Sequence, residues 1–93
     1  MTANRYGSTD LDAAVAAEVR AEIGRHSDVS ISAIALKLDM RRATLSTRVN
    51  GHAPFSPSLL SAVATTLGTT ASEITRRAER SLESSEPLLA RTA

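Results

Sequence analysis

An all-α fold is what this chain of 93 residues predicts: a compact bundle of about five short helices that contains a helix-turn-helix. Three observations predict it. Apolar residues recur at i, i+3, i+4 and i+7 in successive short stretches, and no alternating β pattern of useful length occurs. Tyr6 and Phe55 are the only aromatics, so alanine, leucine, isoleucine and valine must fill the core, which suits closely packed short helices. Capping residues and glycines punctuate the chain at short-helix intervals. One small domain of this size buries roughly 60–65% of its unfolded surface, so the core is modest.

The expected organisation is a flexible lead at 1–8, a helical domain at 9–82 and a flexible tail at 83–93. Thr9 opens the first helix, with Asp12 at capping-box spacing. Leu11, Val15, Val19 and Ile23 form its buried stripe, and Gly24 followed by a polar run closes it. His26 has no partner at metal-ligand spacing and is expected on the surface.

The second helix is expected at 31–38, capped by Ser30, with Ile31, Ile34, Ala35 and Leu38 as its apolar stripe. Ala35 is the small residue where two helices cross closely. The pattern breaks at Asp39-Met40, with Met40 tucked under the core. It restarts in a third helix at about 42–50 with Leu45 and Val49 inward and Gly51 as the stop. Ser56-Pro57 opens the fourth helix, which buries Leu59 or Leu60, Val63, Ala64 and Leu67 before Gly68. Thr70-x-x-Glu73 is a second capping box and opens a fifth helix with Ile74 inward. That helix reaches about Leu82, and the chain breaks at Pro87.

The chain has no cysteine, hence no disulfide framework and no thiolate metal site. No apolar run approaches the roughly 20 residues of a membrane span, and the N-terminal residues lack the apolar core of a signal peptide. The cytoplasm is the expected compartment. Two separated histidines and acids on outward helix faces make no catalytic constellation, so neither enzymatic activity, metal nor cofactor is expected.

Net charge is only +1, but its distribution is uneven. From Met40 to Ser72 there is no acidic residue, while Arg41, Arg42 and Arg48 fall inside that span. The outward face of the third helix carries Arg41, Arg42, Thr44, Ser46 and Thr47, all hydrogen-bonding and none a carboxylate. A helix-turn-helix whose second helix is basic and polar has a shape that fits the major groove of DNA. An arginine fork there bonds the O6 and N7 of guanine, worth about 1–3 kcal/mol of discrimination. Arg42 is the candidate for that role and Arg41 for the backbone. Ser46 and Thr47 are small enough for close approach, and Thr47 also offers a methyl to thymine.

The order of motifs resembles the lambda-repressor-like (XRE-type) helix-turn-helix family of phage and bacterial regulators over roughly Val19 to Ala78. The residues that carry the resemblance are Ser30-Ile31-Ser32-Ala33-Ile34-Ala35, Met40-Arg41-Arg42-Ala43-Thr44-Leu45, Asn50-Gly51, Pro54-Phe55-Ser56 and Leu67-Gly68. The resemblance implies that the helix beginning near Arg41-Arg42 enters the major groove. It places Arg42, Ala43, Ser46 and Thr47 at base edges, and Asn50, Ser30 and Ser32 near phosphate. Lys37 and His52 lie at the margins, where cations add salt-dependent affinity.

Three positions depart from the family pattern. Asp39 stands where glycine is usual at the turn, Ile31 where a phosphate-binding glutamine is frequent, and Arg48 where an apolar residue is frequent. Arg48 then lies either in a slightly rotated helix or along the surface with its head on phosphate. The expected function is a sequence-specific double-stranded DNA-binding transcriptional regulator. More narrowly, it is a repressor of the phage-immunity or Cro-like kind, in a bacterial cell or a phage-infected host, that occludes a promoter. A homodimer on a pseudo-palindromic operator is expected, through residues 70–82, where an Ala78/Leu82 stripe is left over. The alternative is an antitoxin or other protein-interaction module with the same fold.

Overall fold

Helix follows helix in the order α1 (Gly7–Gly24), α2 (Ile31–Lys37), α3 (Arg42–Val49), α4 (Pro57–Thr66) and α5 (Ala71–Thr92). The structure is a computed structural model. It describes residues 7–92, with side chains described from Asp10 to Glu83. All five expected helices are present, and among the described residues there is no strand.

Two boundaries differ from expectation. The helix α1 begins at Gly7, ahead of Thr9, so Thr9 lies inside its first turn rather than opening it. Most of the expected 1–8 lead is outside the described residues. The helix α5 continues past Leu82 and through Pro87 to Thr92. Proline removes one helical hydrogen bond, but Leu82, Glu83, Glu86, Leu88, Leu89 and Ala90 around it are strong helix formers. The expected mobility of the 83–93 tail concerns residues whose side chains are almost all outside those described.

The helix starts follow the expected chemistry. Ser30 Oγ accepts from the Ala33 amide at 3.1 Å, and Ser56 Oγ from the Leu59 amide at 3.2 Å. Thr70 Oγ1 accepts from the Glu73 amide at 3.1 Å. Only half of that second capping box forms, because the Glu73 carboxylate turns instead to Arg76 and Arg77.

The ends of α2, α3 and α4 share one device. Amides two and three residues past the last helical residue bond back over three and five residues: Asp39 to the Leu36 carbonyl and Met40 to that of Ala35. Gly51 and His52 bond in the same way to Arg48 and Thr47, and Gly68 and Thr69 to Thr65 and Ala64. This Schellman pattern requires a left-handed residue at its centre. Gly51 and Gly68 supply it at φ 83° and 79°, and Asp39 supplies it at φ 56°.

One core joins all five helices. Val15 and Val19 come from α1, Ile34 and Ala35 from α2, and Leu45 and Val49 from α3. Leu60, Val63, Ala64 and Leu67 come from α4 and its cap, and Ile74 and Ala78 from α5. Leu11, Ile23, Ile31, Leu38 and Met40 are half-buried at its margin. Leu60, not Leu59, is the fully inward leucine of α4. Ala16, absent from the expected stripe, is buried as deeply as its neighbours because α3 and its cap press on α1 there.

The helices α1 and α5 make the largest interhelical contact. On α5, Ala78 is fully buried and Leu82 half-buried. The stripe expected to remain for a second copy is therefore used within the chain. What 70–82 exposes is mostly polar: Ser72, Arg76, Glu79 and Arg80.

A polar clasp closes the same contact. Glu22 of α1 is buried, and its carboxylate receives Arg77 Nη1 from α5 at 3.0 Å, Arg25 Nη1 at 2.5 Å and His26 Nε2 at 3.3 Å. Arg77 Nε also donates to Glu73 at 2.9 Å, so one guanidinium ties two carboxylates on two helices. Burial opposes the ionisation of Glu22 and is the largest single influence on it. The bonds from Arg77, His26 and Arg25, with the charge of Arg25, together outweigh it and hold the carboxyl below its ordinary range.

A depressed folded-state pKa means that the folded protein binds fewer protons than the unfolded chain in that window. Stability therefore rises with pH there. The contribution is complete above the ordinary glutamate value of ~4.3 and is lost as pH falls through the folded value. Glu22→Gln is expected to lower Tm by roughly 5 °C at pH 7 and to flatten the dependence of Tm on pH below about 4.3. Calorimetry from pH 3 to 7 checks it; an unchanged acid slope contradicts it.

Candidate nucleic-acid interface

The exposed side of α2, the turn and α3 is set by what α3 buries. At about 3.6 residues per turn, inward Leu45 and Val49 leave Ala43, Thr47 and Asn50 on the opposite side. Leu45 is 0% and Val49 1% exposed. Ala35, the small residue expected where two helices cross, is 2% exposed, and α2 packs against α3. Arg20 of α1 donates to the Val49 carbonyl at 2.7 Å, placing a cation at the negative end of α3.

The start of α3 is unlike those of α2, α4 and α5. Its N-cap is Arg41, whose side chain makes no capping bond, and no acid lies in its first turn. By contrast α2, α4 and α5 are capped by Ser30, Ser56 and Thr70. A missing cap costs about 1 kcal/mol. Burying Leu45 and Val49 contributes about 3–5 kcal/mol together, so packing holds the helix while its positive end stays uncompensated.

The candidate residues occupy this side as follows. Arg41, Arg42, Ala43, Thr44 and Thr47 are exposed, and Asn50 is exposed as the C-cap residue of α3. Ser46 and Arg48 are half-buried on the flanks. Thr47 Oγ1 donates to the Ala43 carbonyl at 2.9 Å, and Asn50 Nδ2 donates to Ser46 Oγ at 3.1 Å. Arg48 lies along its own helix and donates from Nη1 to the Thr44 carbonyl at 3.2 Å, so α3 keeps Leu45 and Val49 inward without rotating.

Ser30 and Ser32 are exposed at the start of α2, and the Ser30 hydroxyl oxygen is already engaged as a cap. Lys37 is exposed at the other end of α2, beside the turn, and His52 just past α3. The turn itself rests on Asp39 and the half-buried Met40.

The electrostatics are one-sided. Among the described residues, the ion pairs gather on the opposite flank, where Glu22 and Glu73 hold Arg25, Arg76 and Arg77. No carboxylate among the described residues pairs with Arg41 or Arg42. Glu73 sits below the ordinary carboxyl range, mainly because Arg76 and Arg77 donate to it. Among the described residues no group of three or more metal-ligating side chains occurs, and no helix is long and apolar enough to cross a membrane.

Three features had no signal in the sequence. Arg20 reaches α3 across 29 residues, and Arg77 reaches Glu22 across 55, and no local pattern encodes either. Leu36 is 83% exposed on α2, one residue off the buried stripe.

No known protein-family profile and no curated protein sequence matches the chain. The structure is similar to the crystal structure of the clp gene regulator ClgR from Corynebacterium glutamicum, with a TM-score of 0.72 and 25% identity. The likeness covers 88% of this chain and 88% of that one, so most of the all-α arrangement is shared.

Asp39 holds with a side chain the conformation that Gly51 and Gly68 hold without one. Left-handed backbone costs a side-chain-bearing residue about 1–2 kcal/mol, less for Asp. Glycine costs about 0.4–1 kcal/mol through the freer unfolded chain. Asp39→Gly is expected to stabilise the domain by about 0.5 kcal/mol. Urea unfolding checks it, and a destabilised variant would show that the carboxylate holds the turn.

Proposed function

We propose that the chain is a sequence-specific double-stranded DNA-binding transcriptional regulator that inserts α3 into the major groove. The observation that carries the proposal is the start of α3, which has no side-chain cap and no acid in its first turn, and where no carboxylate among the described residues pairs with Arg41 or Arg42. The likeness to a gene regulator over most of both chains supports it.

In this account Arg42 reads guanine, while Ala43, Ser46 and Thr47 lie against base edges with Thr44 beside them. Arg41, Ser30, Ser32 and Asn50 lie on phosphate, and Arg48 adds charge to the flank of α3 that faces the backbone. Lys37 and His52 add affinity that falls with salt. One domain reads few base pairs, so two copies on a pseudo-palindromic operator are proposed, with half-sites about one helical turn apart. The polar surface left on 70–82 gives no apolar reason to place the dimer contact there. The order of elements resembles that of phage immunity repressors and Cro-like regulators, which favours repression by promoter occlusion. Such a protein acts in the cytoplasm of a bacterial cell or a phage-infected host.

One observation favours the alternative of a protein-interaction module such as an antitoxin. Leu36 is a large apolar side chain with nothing over it. A single exposed leucine is ordinary on a protein surface.

Selection of binding sites from random duplex DNA tests the proposal, with Arg42→Ala in parallel. The expected result is an inverted repeat, with the variant losing preference at one base pair per half-site and binding about 10-fold more weakly there. Weak, uniform binding by both proteins contradicts it and turns attention to Leu36.

A further inference from the structure

The middle of the α3 face is less polar than its sequence. Ala43 and Thr47 are one turn apart, both exposed, and opposite the buried Leu45 and Val49. The Thr47 hydroxyl proton is committed to the Ala43 carbonyl at 2.9 Å. That bond turns the hydroxyl back onto the helix and leaves the γ-methyl, beside the Ala43 methyl, as the group presented outward. The neighbouring Ser46 oxygen is engaged by Asn50 Nδ2 at 3.1 Å, which draws both groups to the flank. Donors therefore stand around the pair, in Arg42, Thr44 and Asn50, with the two methyl groups of Ala43 and Thr47 between them.

A methyl pair with no donor directed outward matches one feature of the major groove: the 5-methyl group of a pyrimidine. Resting on the DNA-binding function proposed above, we infer that Ala43 and Thr47 form a platform that reads a pyrimidine 5-methyl group in each half-site. Thymine carries that group by default, and 5-methylcytosine carries it after methylation. The platform recognises the methyl and not the exocyclic group beside it, because the Thr47 proton is already used. A cytosine at this position therefore becomes a better ligand when methylated, and occupancy of such a site responds to DNA methylation.

The test uses the full chain and the duplex enriched by site selection. Each thymine of a half-site is replaced in turn by deoxyuridine, which removes only the methyl. Duplexes with cytosine and with 5-methylcytosine are compared at the sensitive position. Loss of one buried methyl is expected to weaken binding about 3- to 10-fold at one thymine per half-site. The 5-methylcytosine duplex is expected to bind about 3- to 10-fold more tightly than the cytosine one.

Thr47→Ser keeps the hydroxyl bond and removes the methyl, so it should bind the thymine site more weakly and discriminate less between thymine and deoxyuridine. Thr47→Val keeps the methyl and should keep the discrimination. Equal binding to thymine and deoxyuridine at every position of an enriched site overturns this inference and leaves the regulator standing. Discrimination unchanged in Thr47→Ser also overturns it. Failure to enrich any site overturns the regulator and this inference with it.

Discussion

Burial of Leu45 and Val49 is the constraint on which the rest depends. The helix α3 has 8 residues, fewer than the roughly 12–15 that an isolated helix needs in water. It exists because two of its side chains are removed from water against α1 and α2. The same burial fixes its rotation, so Ala43 and Thr47 face outward and Arg42 stands at the leading edge. The bond from Arg20 to the Val49 carbonyl and the left-handed Gly51 lock the far end of α3 onto α1. A change in how α3 sits on α1 would re-aim every group on its outer face.

Charge is divided with a similar economy. At +1 the chain is nearly neutral, yet from Met40 to Ser72 it carries no acid, and Asp39 in the turn before α3 makes no ion pair among the described residues. Glu22 and Glu73 lie where α1 meets α5 and neutralise the arginines there. That leaves α3 with its own arginines and an uncompensated helix end. Neutralising one flank while sparing the other gives a nearly neutral protein one cationic surface, and a cationic surface steers it toward phosphate.

Much of this was legible in the sequence because it is encoded locally. Ser30, Ser56 and Thr70 cap the helices that they precede, since a hydroxyl needs only the amide three residues on. Gly51, Gly68 and Asp39 mark left-handed stops for the same local reason. The inward sets on α2 and α3 followed from spacing alone. What was not legible depends on contacts across the chain. The partner of Glu22 on a distant helix, the reach of Arg20 and the burial of Ala78 within the chain have no local signature. Neither has the choice of Leu60 over Leu59, since adjacent leucines differ only in which way the finished helix is turned. Pro87 stays inside α5, where the propensities of its neighbours outweigh its own tendency to end a helix. On the candidate interface, which residues lie there could be read, but the hydroxyl of Thr47 turned onto Ala43, and Asn50 turned onto Ser46, required coordinates.

Amide chemical-shift mapping of the labelled chain, titrated with the duplex enriched by site selection, addresses the central claim most directly. If α3 is the DNA-reading surface, the largest shifts fall on Arg41–Asn50, with smaller ones at Ser30 and Ser32, while α5 and the α1 face around Glu22 stay unmoved. Shifts centred on α1 and α5, or spread evenly over the surface with α3 unaffected, would contradict the account.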